Sequence, residues 1–368
     1  MRKTLAFTGL ALGLALLLSA GVVRWIIAPN DAVLPSNTNT TRAYAGTAAV
    51  LFNPAALTTG SGPVLLTNVP VTVAHQTKVL ATSGGNALVS DAKTIKAAGS
   101  TVAAVDYRYS VDRTNLGQGS HFSGVLTQTG LTFNWPIRTA AHDYTGYVPD
   151  TGKTTTLKYT GTATRGGITT DVFTTVMTPA AITDAQQLAE LPKSLPKATL
   201  LRLAPSLNLP AAQLAALANM LPQLPDPVPF GYTYQGTATY YVAPQTGIVV
   251  DLVQHETRTL TIQVGTAVVP VTPVMDITFT DTPATLVSAV NDARTKGDSI
   301  NLLYRTLPIS LTIGGVVLML LGGFALAVPA RRRDDEDATT DVSHLGHPSE
   351  TITPVPSHGH RGGNNPGS

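Results

Sequence analysis

Cysteine is absent from the 368 residues, which excludes disulfides, thiol catalysis, iron–sulfur clusters and cysteine zinc sites together. Charge is also scarce: Asp, Glu, Lys and Arg make up 12% of the chain, about half the share usual in a soluble globular protein. With a net charge of +2 there is no basic field to meet a phosphate backbone, and nucleic acid is not the partner. The 32 Gly and 26 Pro argue against helical bundles and coiled coils. At about 150 residues per domain, the length allows two ordinary domains or one large β-rich domain with membrane segments.

Two uncharged runs frame the chain. Leu5 to Val23 carries no charge and sits between Arg2-Lys3 and Arg24-Trp25, long enough to cross a bilayer. A cleaved signal peptide is the rival reading, but Leu18 stands where a cut after Ala20 needs a small residue, so retention is expected. Leu307 to Val328 is the stronger run, closed by Pro329 and followed by Arg331, Arg332 and Arg333. Basic residues flank the outer ends of both runs, so the positive-inside tendency predicts two passes, both termini cytoplasmic and the middle outside. Gly9 and Gly13 stand in a GxxxG relation, and Gly314 adjoins Gly315, a pattern common in membrane helices. The expected organisation is a stub and helix over 1–28, an external domain over 29–306, a second helix over 307–328, and a cytoplasmic tail over 329–368. The tail, with its acidic run at 334–337, lacks the material for a core and is expected to be disordered.

Between the runs the composition turns to Thr, Val, Gly, Tyr and Ala, the chemistry of strands. Strands are predicted over 64–80, 101–111, 121–135, 154–164, 168–177, 232–242, 248–263 and 274–280, with Gly, Asn and Asp turns between them. Such a series predicts a mainly β fold with an α insertion, a large antiparallel barrel-like or sandwich ectodomain. The insertion, about 182–226, holds short helices at 182–190 and 210–221 in a region that eight prolines from Pro192 to Pro229 interrupt, with Arg202 the one charge from Ala198 to Leu224. It is either a cap packed on the sheet or an exposed apolar apex for lipid or a hydrophobic ligand. The candidate ligand surface is Leu200, Leu201, Leu203, Leu214, Leu217, Met220 and Leu221. Thr282-Pro283 reads as the start of a juxtamembrane helix reaching to Tyr304.

Chemistry is hard to find. There is no G-x-S-x-G nucleophile elbow, dinucleotide glycine motif or phosphate-binding loop. His142-Asp143 and His255-Glu256 are sequence neighbours, which a strand sends to opposite faces. Asp106 and Arg108 share one strand face, Tyr107 and Tyr109 the other. His344, His347, His358 and His360 match no helical metal site. No catalytic, metal or cofactor residue is nominated, and no cofactor is expected.

Four segments carry a resemblance: Val111-Asp112-Arg113-Thr114, the GLTFNWPI run from Gly130 to Ile137, Tyr144 through Asp150, and YVAPQTGIVVD from Tyr241 to Asp251. Together they resemble the actinobacterial PorA porin-like family, from Met1 to about Val328. The layout of two terminal spans, a β-rich exterior and a helical apex also resembles the class B scavenger receptors, whose ectodomains carry hydrophobic cargo through a tunnel. A transmembrane barrel needs lipid-facing strands and aromatic girdles, whereas aromatics here are 6% and the β part reads as water-exposed. The expected function is a non-enzymatic cell-envelope membrane protein that binds or transfers lipid or another hydrophobic ligand. A porin or channel component is the alternative, and an envelope hydrolase the third reading. The expected partners are membrane lipid and that hydrophobic ligand, with the oligomeric state open.

Overall fold

The structure is a computed structural model describing residues 2–59, 62–207 and 209–328. The triple Arg, the acidic run, the four tail histidines and the predicted disorder of 329–368 lie outside the described residues.

Both uncharged runs are helical. Helix α1 (Arg2–Val22), a π turn (Val23–Ile27) and α2 (Ala28–Asp31) form one continuous helix. At the other end α7 (Pro283–Asn301), a second π turn (Leu302–Thr306) and α8 (Leu307–Ala327) form another. Thr282 starts α7 as predicted, its hydroxyl accepting from Thr285 N at 3.3 Å with Pro283 in the first turn. Each helix is long and apolar enough to cross a membrane. They pack antiparallel, so the Arg2 end of α1 lies beside the Val328 end of α8.

Glycine sets how close they come. A Cβ on Gly13 would stand 2.7 Å from the Gly315 carbonyl oxygen, and one on Gly315 would stand 2.8 Å from that of Gly13. Two turns on, a Cβ on Gly322 would be 2.8 Å from the Ala6 oxygen. Backbone therefore touches backbone, the contact that small residues permit between membrane helices.

Between the helices an antiparallel sheet curls into a half-barrel. Its strands are β1 (Asn39–Phe52), β2 (Leu65–Ser83), β3 (Asn86–Ala97), β4 (Ser100–Asp112), β5 (Tyr144–Val148), β6 (Lys153–Arg165), β7 (Ile168–Ala181), β8 (Ser194–Leu195), β9 (Val228–Ala243), β10 (Ile248–Val264) and β11 (Ala267–Asp281). The order is β4-β3-β2-β1-β11-β10-β9-β7-β6-β5, with β8 on the end of β9. Of the two predicted arrangements this is the barrel-like one, a single sheet rather than a sandwich. The bend falls where the ladder slips register, as at Ala48/Val50, Val79/Ala81 and Tyr159/Gly161, because a bulge increases local twist and bends its strand.

Strands β4 and β5 end the sheet without pairing to each other, and the chain between them covers both edges. Gly119 N and Leu126 N donate to Ser110 O and Arg108 O on β4, while Leu131 exchanges bonds with Thr145 and Tyr147 on β5. The predicted strand over 121–135 is therefore corrected: apart from one bridge at Leu131 it is irregular. Gly124 and Gly130 hold positive φ there, which breaks the extended backbone a ladder needs, although Leu131 and Trp135 still bury their side chains in the core. The side chain of Gln186, in α4 (Ala185–Ala189), completes the cover by exchanging two amide bonds with the backbone of Asp106.

The far end of the sheet, opposite the terminal helices, carries α3 (Pro54–Thr59) between β1 and β2 and the insertion between β7 and β9, with α5 (Lys197–Leu203) and α6 (Ala211–Met220). Leu200, Ala204, Leu217, Leu221, Leu224, Val228 and Ile262 form its core.

Where β1, β10 and β11 meet near the terminal helices, Arg42 acts as a latch. Its Nη2 donates to Asp281 at 2.6 Å, its Nε to the Tyr44 hydroxyl at 3.1 Å, and its Nη1 to the Val249 carbonyl. Burial pushes the Asp281 carboxyl up to about 6, against the opposing pull of Arg42, and its Oδ1 has no partner.

Two expectations follow for stability. Gly315→Leu drives the helices apart and costs about 2 kcal/mol, whereas Gly323→Leu, where a Cβ meets nothing within 4 Å, costs little; denaturant unfolding in detergent separates the two. An acid whose folded pKa lies above its unfolded value takes up its proton earlier in the folded state, so its contribution to stability rises as the pH falls through about 6 toward its ordinary range. Wild type should gain on Asp281→Asn by on the order of 2 kcal/mol between about pH 7 and pH 4. A difference independent of pH would show an ordinary carboxylate.

Candidate functional site

The inner face of the half-barrel is polar at its centre. Strand alternation turns Arg42 and Tyr44 of β1, His75 and Thr77 of β2, Asp91 and Lys93 of β3, and Tyr107 of β4 inward. Glu256 and Arg258 of β10 and Tyr234 and Tyr240 of β9 form the opposite wall. The register explains the clustering: Arg42 pairs with His75 and His75 with Lys93, while Thr77 pairs with Asp91 and Asp91 with Tyr107. These side chains surround a cavity of about 170 Å³.

Charges bridge this interior. Lys93 Nζ pairs with Glu256 Oε1 from a strand four places away in the sheet, so the bond runs across the lumen rather than along a ladder. Gln254 donates to the same oxygen at 2.7 Å. Arg258 pairs with Asp150, in the β5–β6 turn, at 3.1 Å. His75 meets Asp91 at 2.7 Å, and the Thr77 hydroxyl donates to the same carboxylate oxygen at 3.0 Å. Tyr107 donates to Asp184 at 3.1 Å, tying β4 to the N-cap of α4.

Burial alone would raise the Glu256 carboxyl, but Lys93 and Arg258 outweigh it and hold it below the usual range. Burial raises Asp150, with Arg258 opposing, and raises Tyr234, Tyr107 and Tyr109, leaving neutral hydroxyl donors at neutral pH. Among the described residues Glu256 Oε2 and Arg258 Nε, which line the cavity, are buried without a protein partner, which is the state of groups that meet water or a polar ligand in a cavity.

At the helix-bearing end the cavity abuts a larger groove of about 490 Å³. Thr40, Arg42 and Asn134 line both. One wall of the groove is α7, with Ser288, Asp292 and Lys296, and the other is the segment after α2, with Val33 and Leu34. Polar and apolar side chains are therefore mixed there. Its floor includes Trp135, whose backbone N donates to Gly247 O at 3.1 Å, while Arg138 N donates to Gln245 O. A Cβ at Gly247, where φ is +69°, would lie 2.0 Å from the Trp135 oxygen, so the β9–β10 turn admits only glycine against this loop. Two of the four sequence segments that carry the resemblance thus meet in space.

The predicted apolar surface is largely turned inward. Leu200, Leu217 and Leu221 are buried together with Leu214 at their edge, and Leu203 packs beside Leu207 and Ala56. Met220 is half-buried, and Leu201 is 52% exposed. The space Leu200 and Leu203 line with Phe52 and Phe230 is about 40 Å³, little larger than a water molecule. The lumen charges match no catalytic or binding motif in sequence, and their signal is parity, with Glu256 and Arg258 on the inward-facing alternation of a strand whose neighbours there are Leu252 and Leu260.

Nucleophilic chemistry finds no assembly. Asp91 sits between His75 and Thr77, so the imidazole does not face the hydroxyl it would have to deprotonate. His255 pairs with Asp276 at 2.7 Å on the other face of the sheet from Glu256, and His142 Nδ1 lies 2.7 Å from the Asp143 carbonyl. Among the described residues no group of three or more His, Asp or Glu could hold a metal.

No curated protein matches the chain. The family described as Porin PorA matches residues 5–324, which takes in both long helices, every strand, the lumen and the groove. The chain is a membrane protein and belongs to the porin PorA family.

Proposed function

We propose that this protein is a membrane-anchored, non-enzymatic receptor or carrier for an amphipathic envelope lipid, with the polar head of the ligand held by the lumen charges and its apolar part in the groove beside α7. The observation that carries this is the shared wall of Thr40, Arg42 and Asn134, which joins a charged interior to a mixed groove at the end where both long helices leave the sheet. A ligand drawn from the bilayer would meet the groove first. In the same reading the chain passes the membrane twice, both termini are cytoplasmic and the sheet lies outside, which the antiparallel packing at Gly13 and Gly315 supports.

Family membership favours a second reading, a porin-like channel component. Against a one-chain β pore stands the outer face of the sheet. Thr72, Gln76, Lys78, Asp106 and Arg108 point outward, and charged side chains on a lipid face are costly. Conduction would then need an assembly of several copies.

Mass spectrometry of the full chain purified in mild detergent tests the proposal. An amphiphile should co-purify in near-stoichiometric amount and be lost at least about fivefold in Thr40→Trp, which fills the shared wall, while Leu201→Ser at the apex leaves it unchanged. Absence of any bound amphiphile, together with stepwise conductance in planar bilayers, would favour the channel instead. Lys93→Met, which leaves Glu256 buried and unpaired, should cost about 3–5 kcal/mol of stability, measured by chemical denaturation. The double change Lys93→Met with Glu256→Leu should recover most of that loss if the pair is a brace across the lumen.

A further inference from the structure

The two π turns lie against each other where the terminal helices join the sheet, and they gather basic residues with no acidic partner. Arg24, in the first π turn, holds its guanidinium 5.2 Å from the Trp25 ring centre and 5.1 Å from that of Tyr304, in the second. Arg138 reaches the same Tyr304 ring at 4.6 Å from the long loop. Its backbone holds φ +61°, a conformation a side chain other than glycine's rarely adopts, and is pinned by the bond from Arg138 N to Gln245 O. Two guanidinium groups thus share one tyrosine ring. Among the described residues neither comes within 4.0 Å of a carboxylate.

Depth turns this into a site. Trp25, Ile26 and Ile27 are 74%, 56% and 45% exposed, and Leu302 is 47% exposed. Exposed apolar side chains thus continue past Arg24 toward the sheet. From Leu5 to Ile27 the helix spans about 34 Å, close to the hydrocarbon core plus the start of the headgroup layer. Arg24 then lies about one turn below the upper edge, where a cation without a counter-charge is costly. A tyrosine face offsets part of that cost but supplies no negative charge, and the second guanidinium adds repulsion.

We infer that Arg24 and Arg138 bind the headgroup phosphate of an anionic phospholipid from the outer surface of the bilayer, across the edge of the Tyr304 ring, with Trp25 beside the glycerol region. One phosphate answers both charges, and guanidinium groups recognise phosphate oxygens with directed, charge-assisted bonds. Because Arg138 belongs to the sheet's loop and Arg24 to the first helix, the lipid joins the external part to the bilayer. This site is separate from the lumen and does not rest on what the lumen binds.

Tryptophan fluorescence reports on it directly, since Trp25 and Trp135 are the two tryptophans and Trp135 is buried at 3% exposure. The full chain is reconstituted in phosphatidylcholine vesicles containing equal mole fractions of nitroxide-labelled phosphatidylglycerol or nitroxide-labelled phosphatidylcholine, the label near the headgroup. The expected result is quenching by the anionic probe at about tenfold lower concentration than by the zwitterionic one. Arg138→Gln, a change in an exposed side chain, and Arg24→Gln should each remove most of that preference, whereas Arg108→Gln on the outer sheet face should keep it. Equal quenching by the two probes overturns the inference, as does a preference that survives in both Arg24→Gln and Arg138→Gln. The preferential signal must fall in Trp25→Phe; a preference left undiminished there comes wholly from Trp135 on the groove floor and also overturns the inference.

Discussion

The ion pair between Lys93 and Glu256 constrains everything around it. A buried carboxylate at 1% exposure is tolerable only with a compensating charge at contact distance, and here that charge comes from across the lumen. The curl of the sheet, which brings β3 within reach of β10, and the compensation of Glu256 are therefore one condition: opening the half-barrel would strand two ions in a low-dielectric interior. Arg258 with Asp150 repeats the arrangement at the β5–β6 turn, and Tyr107 with Asp184 ties the unpaired β4 edge to the insertion. Such braces hold a fixed shape without filling the interior with methyl groups, which is why a cavity with unsatisfied polar atoms persists at the centre. An interior of this kind receives a polar or charged group far better than an alkyl chain.

The same polarity divides the labour between strands and helices. With charge inside the lumen and Lys, Asp, Arg and Gln on the outer face, contact with lipid tails would be costly for either face of the sheet, whereas the two terminal helices are long and apolar enough to make it. Their backbone contact at Gly13 and Gly315 fixes the spacing of the pair. Because α7 runs without a break into α8, the helix wall of the groove is a rigid extension of a membrane segment. Thr285, next to the N-cap of α7, donates to the carbonyl of Ala43 on β1, beside the Arg42 latch, so the helix is registered to the sheet at the point where groove and lumen meet.

Much of this was legible in the sequence, and what was not has identifiable causes. The two uncharged runs announce their helices because nothing else in a chain explains so long an absence of charge. Alternation from Asp106 to Tyr109 separates the two faces of β4, and the structure turns the Tyr107 and Tyr109 face inward. Strand β1, from Asn39 to Phe52, is hard to read because Ala45, Gly46, Ala48 and Ala49 blunt its alternation; at Gly46 a Cβ would stand 2.0 Å from the Thr278 oxygen of β11. Strand β3 is hard to read because Asp91, Lys93 and Lys96 interrupt its apolar alternation; two of the three face the lumen. The segment 121–135 was given to a strand on composition although Gly124 and Gly130 require positive φ, a backbone state that no composition count registers. In the insertion the helices were readable but not their partner, since an apolar helix face looks the same whether it meets a ligand or the far ends of β9 and β10.

The geometry of a single copy bears on what a porin family member of this shape can do. Val148, Ile182, Tyr232, Tyr234, Leu260 and Val274 pack into one apolar cluster between the lumen and the insertion, and the Leu200–Leu217–Leu221 core lies beyond it. The far end of the half-barrel is thus closed twice, by layers whose removal would cost several side chains' burial at about 1.5–3 kcal/mol each. The edge between β4 and β5 is covered by the 113–143 loop and by Gln186. What stays open is the groove at the helix-bearing end, bounded by Thr40, Arg42, Asn134 and α7. In the carrier reading proposed above, a chamber with a charged floor and this mouth is a pouch, exchanging its ligand by binding and release rather than by passage. A conducting path through the same lumen of one copy would have to pass the Lys93–Glu256 pair and the apolar cluster at the far end, which is the physical demand the channel reading has to meet.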